Sequence, residues 1–131
     1  MSKRNKIIYW IATLWLALGM ISTGAVQLFK QKAGQGGLDT ITELGYPIYI
    51  LTILGVWKVL GVIAVLTPKF PLVKEWAYAG LFFVMTGALI SHLASGDHSI
   101  KALIGPIMQT IFIILSWYFR PADRRVIPVT Q

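Results

Sequence analysis

Four long apolar stretches, separated by short polar segments, account for most of the chain. They cover about 7–29, 47–66, 76–94 and 102–119, and each has the ~20 residues that a helix needs to cross a bilayer. They lack the apolar and polar alternation of barrel strands, and backbone amides in lipid must be satisfied within the segment. The pattern predicts an all-α fold, namely an integral membrane four-helix up-down bundle.

The connections between these stretches carry turn-forming residues. The longest, 30–46, contains four glycines and is predicted to hold a short helix from Leu38 to Leu44. Residues 67–75 contain two prolines and residues 95–101 are polar, so consecutive helices are expected to be antiparallel neighbours. Because no tail is large enough for a second core, a single domain over 1–131 is predicted.

Composition and charge agree with a membrane environment. The chain is 56% hydrophobic and 13% charged, with a mean hydropathy of +0.68, so the lipid bilayer is its expected surrounding. The net charge of +7 arises from basic residues in the connections and at the ends. Because they do not form a stripe along one element, a nucleic-acid partner is excluded.

Basic residues also predict the orientation. Eight flank the stretches on the side of the two termini and three on the opposite side, which predicts that both termini are cytoplasmic. An alternative interpretation of the first stretch is a signal peptide cleaved after Ala25. The apolar run continues past that position to Phe29, which favours a retained span.

Lys58 is the most informative polar residue within a stretch. It lies ~16 Å below the predicted outer boundary, near the bilayer midplane. A charge there costs at least ~2.5 to 3.5 kcal/mol, and no predicted span contains an acidic residue to offset it. A functional site is one explanation, and a lysine that extends toward the surface or is held as a neutral amine is another. Gly55 and Gly61 share its face and leave room for a partner helix or a ligand.

The other predicted spans also place polar groups in the outer half. His92 lies within a turn of the outer end of the third span, Gln109 ~12 Å below that boundary and Thr23 within ~10 Å of it. We expect a pocket with Lys58 at its floor and His92 near its mouth. Each has a non-functional alternative: Thr23 bonded to the preceding turn, Gln109 bonded between helices, and His92 solvated or packed.

Familiar catalytic patterns are missing. The chain has no cysteine, no paired carboxylates in a span, no phosphate-binding glycine loop and no cluster of metal ligands. The sequence therefore predicts no catalytic residue and no metal site, and it leaves open whether the protein is an enzyme.

Several short motifs together resemble those of the DoxX-like family. They are LGVWKVLG at 54–61, KEWAYAG at 74–80, GA at 87–88, SH at 91–92, GD at 96–97 and SWY at 116–118. The resemblance implies a four-helix bundle in the bacterial inner membrane. The founding relatives are linked to a thiosulfate to quinone oxidoreductase. It also implies that Lys58, and His92 with Asp97, belong to the site.

Three functional hypotheses follow. The first is a membrane subunit or accessory protein of quinone-linked redox chemistry, with a quinone as the candidate cofactor and a redox enzyme as partner. The lack of cysteine argues against a thiol-based form of this role. The second is a small transporter or channel, formed as a homo-oligomer, for an anionic or proton-coupled substrate. The third is a non-catalytic scaffold.

Overall fold

A computed structural model describes residues 2–32, 37–68, 70–96 and 99–121. This part of the chain is all-helical, as predicted, and contains no strand. Its five helices are α1 (Lys3–Leu28), α2 (Leu38–Glu43), α3 (Ile50–Leu66), α4 (Pro71–Ala94) and α5 (Ile100–Tyr118). Helices α1, α4 and α5 are long and apolar enough to cross a membrane. Helix α3 is also apolar but has only 17 residues.

The helix boundaries differ in places from the predicted stretches. The short helix expected from Leu38 is present as α2. Helix α4 begins at Pro71, before the predicted span at 76, because a proline in the first turn has no amide that needs an intrahelical partner. Phe70, with φ of 55°, turns the chain into it. Residues 47–49 form a turn ahead of α3, where the span was expected to begin.

The four long helices pack in pairs, with α1 and α4 each contacting both α3 and α5. Buried side chains from all four long helices form a core cluster: Leu16, Met20, Val62, Val65, Tyr78, Leu81, Met85 and Ile113. Large apolar side chains also cover the outside, such as Trp57 at 62% and Phe83 at 69% exposure. So much exposed apolar surface is unfavourable in water and costs nothing in lipid.

Glycines bring α1 and α3 close together. A Cβ atom at Gly55 would lie 3.0 Å from the carbonyl oxygen of Gly24 and 2.6 Å from Cγ of Leu28. A Cβ atom at Gly61 would lie 3.1 Å from Cδ2 of Leu81 on α4. Of the two uses expected for Gly55 and Gly61, the structure therefore shows helix packing.

A buried hydroxyl cluster lies toward the end at which α1 begins. The Ser116 hydroxyl lies 2.6 Å from Oγ1 of Thr13 and 2.7 Å from the hydroxyl of Tyr78. All three side chains are buried, and they join α1, α4 and α5. In a low-dielectric interior such satisfied hydrogen bonds fix how the helices meet.

Lys74 has a structural role that sequence reasoning missed. It is fully buried, and its Nζ donates to the carbonyl oxygens of Ala64 at 2.6 Å and Val65 at 3.2 Å. These carbonyls are in the last turn of α3, where intrahelical partners run out. Lys74 therefore caps α3. It can do so because α4 begins at Pro71, which places Lys74 within the helix and beside the end of α3.

Candidate functional site

A cavity of about 400 Å³ lies among the helices at the end where α1 finishes. The carboxyl-terminal halves of α1 and α4 and the amino-terminal halves of α3 and α5 line it, and α2 lies across it. Its volume is within the range of ~300 to 1,000 Å³ typical of small-molecule sites. The walls are mostly apolar, with a few polar groups that converge from different helices.

Lys58 on α3 contributes the amine of this cavity. Its side chain is 3% exposed, and Nζ donates to Oγ1 of Thr23 on α1 at 3.1 Å. Thr23 donates its own proton to the carbonyl oxygen of Gly19 at 2.9 Å, so its oxygen is free to accept. Within the described part of the chain, this is the one hydrogen bond of the Lys58 amine. No carboxylate of that part lines the cavity. A lysine ammonium has three N–H donors, so the Lys58 amine can also donate to a ligand.

Gln109 on α5 contributes an amide. A Cβ atom at Gly19 would lie 1.8 Å from Nε2 of Gln109, so the amide packs against α1 only because position 19 is a glycine. Its Oε1 is buried and has no hydrogen-bond partner among the described residues. A buried amide oxygen without a partner is costly, and it would be satisfied by a ligand group that donates a hydrogen bond, such as a hydroxyl.

His92 and α2 form the outer part of the cavity. His92 is 8% exposed, so it is buried and not solvated. Ile41 of α2 is 5% exposed and lines the cavity. The hydroxyl of Tyr46 lies 2.6 Å from Oγ of Ser91. Because Ser91 donates to the carbonyl oxygen of Gly87 at 2.8 Å, Tyr46 is the donor in this pair.

The structure brings together four of the five residues predicted for the site. Lys58, Thr23, His92 and Gln109 all line the same cavity. Asp97 lies outside the described residues. Sequence reasoning missed Tyr46 and the α2 side chains as lining residues, although the predicted helix in that connection was a signal. It also missed Gln27, which lines the cavity and is 2% exposed.

An apolar layer lies between the cavity and the hydroxyl cluster. It lies one helical turn beyond Thr23, Lys58, Met85 and Gln109, and is formed by Met20, Val62, Leu81 and Ile113, all of which are buried. The hydroxyl cluster of Thr13, Tyr78 and Ser116 lies on its far side. The polar groups of the cavity are thus separated from those of the hydroxyl cluster by hydrocarbon.

The arrangement can bind a compound that is largely apolar and carries hydrogen-bond acceptors. The Lys58 amine and the Gln109 amide nitrogen are donors, and the surrounding walls are mostly apolar. A quinone fits this description, because its carbonyl oxygens accept hydrogen bonds and its ring is apolar, and the hydroxyl groups of its reduced form would donate to Oε1 of Gln109. Among the described residues there is no group of three His, Cys, Asp or Glu side chains that could hold a metal ion.

Three long apolar helices and an internal cavity with a buried amine define the class: a multi-pass helical membrane protein with a ligand-sized site. The sequence model of the DoxX-like family matches residues 11–119. The chain therefore belongs to the DoxX-like family, as its motifs indicated. No curated protein and no solved structure matches it.

Proposed function

We propose that this protein binds a quinone in the membrane and serves as a subunit or accessory protein of quinone-linked redox chemistry. The observation that carries the proposal is the Lys58 amine, which is buried in a largely apolar cavity of about 400 Å³. A buried amine is unfavourable when its remaining N–H donors have no acceptor, and a ligand with acceptor atoms would relieve this cost. Membership of the DoxX-like family supports the same direction.

The proposal includes the membrane arrangement. All four long helices cross the bacterial inner membrane as an up-down bundle, with both termini in the cytoplasm. The cavity lining supports this, since consecutive long helices contribute alternate ends to it. Helix α3, with 17 residues, spans ~25 Å, and the turn before it extends its reach. The excess of basic residues on the side of the termini supports the orientation.

In this mechanism each polar residue has a distinct task. Lys58 would donate to a carbonyl oxygen of the quinone, and Thr23, which accepts from the Lys58 amine, would hold it in position. The amide nitrogen of Gln109 would donate to a second acceptor, and α2, whose Thr40 and Ile41 line the cavity, would lie against the ligand. A bound quinone supplies electron and proton transfer between membrane enzymes. The redox cofactor that reacts with it belongs to a partner enzyme.

A transporter of anions is the second candidate, because the Lys58 amine would also attract an anionic substrate. The apolar layer of Met20, Val62, Leu81 and Ile113 argues against a continuous polar pore through the helices. A scaffold without a ligand is the third candidate. It gives no reason for a cavity at Lys58 and Gln109.

The test is purification of the intact protein in mild detergent, followed by mass spectrometry of the small molecules that accompany it. Lys58→Met removes the amine and keeps the length and apolar volume of the side chain. Lys6→Met makes the same change at an exposed position on α1 and is the matched control.

A quinone that accompanies the wild type and Lys6→Met, and is lost from Lys58→Met, would support the proposal. The same quinone in all three preparations would show that Lys58 does not hold it. If none of them contains a quinone, and none binds added quinone, the proposal is wrong. Anion uptake into vesicles would then be the next measurement.

A further inference from the structure

A second cavity, of about 320 Å³, lies between α4 and α5, toward the end at which α5 finishes. Most of its lining is apolar: Ala79, Phe82, Phe83, Ile113, Ile114 and Trp117. Large parts of Phe83 and Trp117 are exposed on the outer surface, 69% and 40% respectively. The cavity is therefore a recess in the lipid-facing side of the molecule.

The polar groups of this recess are already engaged. The Tyr78 hydroxyl is 2.7 Å from Oγ of Ser116. Oε2 of Glu75 accepts from Nε1 of Trp117 at 2.9 Å, and Oε1 of Glu75 lies 2.7 Å from Nη2 of Arg120. Because these atoms are hydrogen-bonded or ion-paired, the recess offers a ligand mainly dispersion contact. It suits a hydrocarbon chain and not a polar head group.

The two cavities lie end to end. Phe83 lines both of them. On α4, Ala79 lies one turn before Phe83 and lines the recess. Gly87 lies one turn after Phe83 and lines the first cavity. On α5, Gln109 lines the first cavity and Ile113, one turn later, lines the recess. Residues four apart share a helix face, so the two linings form one continuous track over ~12 Å of α4.

We propose that the recess holds the hydrocarbon tail of the ligand whose ring occupies the cavity at Lys58. The ligand class is then a quinone with a long isoprenoid tail. This inference rests on the proposed function, and it adds a second subsite and a direction. The tail leaves the ring beside Phe83 and runs between α4 and α5 toward Trp117. A phospholipid acyl chain is the competing occupant of the recess.

A binding experiment separates the tail from the ring. The full chain in detergent is titrated with a tailless benzoquinone and with the same ring carrying a long isoprenoid tail. Ala79→Leu fills the recess. Gly80→Leu adds a leucine at the next position, which lines neither cavity and where a Cβ atom would have no neighbouring atom within 4 Å. Comparing each variant with wild type for each ligand cancels the partition of the tail into detergent.

We expect Ala79→Leu to weaken the tailed quinone about tenfold, because the leucine side chain displaces the tail and about 1.4 kcal/mol of dispersion contact is lost. Binding of the tailless quinone should not change, and Gly80→Leu should affect neither ligand. An equal effect on both ligands, or no effect on the tailed one, would overturn the inference. A phospholipid that is displaced by Ala79→Leu while quinone binding persists would also overturn it.

A second measurement needs no variant. A tailed quinone with a photoreactive diazirine at the tail end is crosslinked to the wild-type protein, and the modified residues are mapped by mass spectrometry. Modification confined to the recess, at positions such as Ala79 and Ile114, supports the inference, and modification scattered over the lipid-facing surface contradicts it. Failure of both quinones to bind would overturn the proposed function itself, and the tail subsite with it. If Lys58→Met abolishes quinone binding and Ala79→Leu has no effect, the proposed function holds and the tail subsite is wrong.

Discussion

The Lys58 amine on α3 donates to the Thr23 hydroxyl on α1 at 3.1 Å, and the same hydroxyl donates to its own helix at Gly19. Thr23 thus uses its proton within α1 and its lone pair for Lys58. Ser91 repeats this arrangement on α4, where it donates to Gly87 and accepts from Tyr46. Each hydroxyl fixes a group that comes from another element of the cavity. Four predictions concern these residues and their neighbours.

Thr23 is predicted to act as a positioning residue for Lys58. Thr23→Val keeps the shape of the side chain and removes the acceptor, so we expect quinone binding to weaken about fivefold, corresponding to one hydrogen bond. Thr23→Ser should restore binding. Thr86→Val is the control, because Thr86 bonds only its own helix, at Phe82, and lines neither cavity. Titration with a tailless benzoquinone measures the effect, and equal binding by Thr23→Val and the wild type would contradict it.

Gly87 offers a way to fill the first cavity without disturbing the helices. It lines the cavity, and no atom lies within 4 Å of a Cβ placed there. We expect Gly87→Leu to lower quinone binding at least about tenfold and to leave the thermal unfolding temperature unchanged or higher, since leucine is the better helix former. Gly80→Leu is the matched control on the same helix. Full binding by Gly87→Leu would place the ligand elsewhere.

The two buried lysines are expected to differ in what they stabilise. Lys74 caps the carbonyl oxygens of Ala64 and Val65, so Lys74→Met should cost about 1–3 kcal/mol of stability and lower the unfolding temperature in detergent. Lys58→Met should cost little stability in the absence of ligand, because it removes a buried amine with one hydrogen bond to a described residue. If Lys58→Met lowers the unfolding temperature as much as Lys74→Met does, Lys58 is a packing residue and the result favours the scaffold hypothesis.

Tyr46 follows α2 in the chain, and its hydrogen bond to Ser91 is predicted to hold α2 over the cavity. Tyr46→Phe and Ser91→Ala should each speed dissociation of the quinone about fivefold, the equivalent of one hydrogen bond of ~1 kcal/mol. Because both changes remove the same bond, the double variant should dissociate no faster than either single one. Stopped-flow displacement measures the rates, and fully additive effects would show that the two hydroxyls act independently.

Much of the fold was within reach of the sequence. Apolar stretches near bilayer length identify helices, because in lipid every backbone amide must be paired within its own segment. Lys58 stood out for a similarly local reason, since an amine in the middle of an apolar stretch requires compensation wherever the helix packs. The polar residues Thr23, His92 and Gln109 followed from their depth along each helix. They line one cavity in the structure.

The helix boundaries and the contacts of the hydroxyl cluster were harder to predict from the sequence. Residues 67–75 read as a connection because of their prolines, yet α4 begins at Pro71 and carries Lys74 into the core. The hydroxyl cluster around Ser116 joins residues as far apart as 13 and 116. Depth along a helix says nothing about rotation around its axis. Two polar residues at the same depth therefore meet only if both helices turn the right faces inward.

Hydrophobicity and segment length are properties of each stretch alone, so the amino-acid pattern was enough to establish a helical protein suited to a membrane and to single out Lys58. The remaining features depend on how the helices pack. Close approach at Gly24 and Gly55 sets the spacing of α1 and α3, which places Thr23 within hydrogen-bonding distance of Lys58. The folding of α2 across the cavity and the track from Gln109 to Ile113 depend on contacts between distant segments, and no local pattern encodes them.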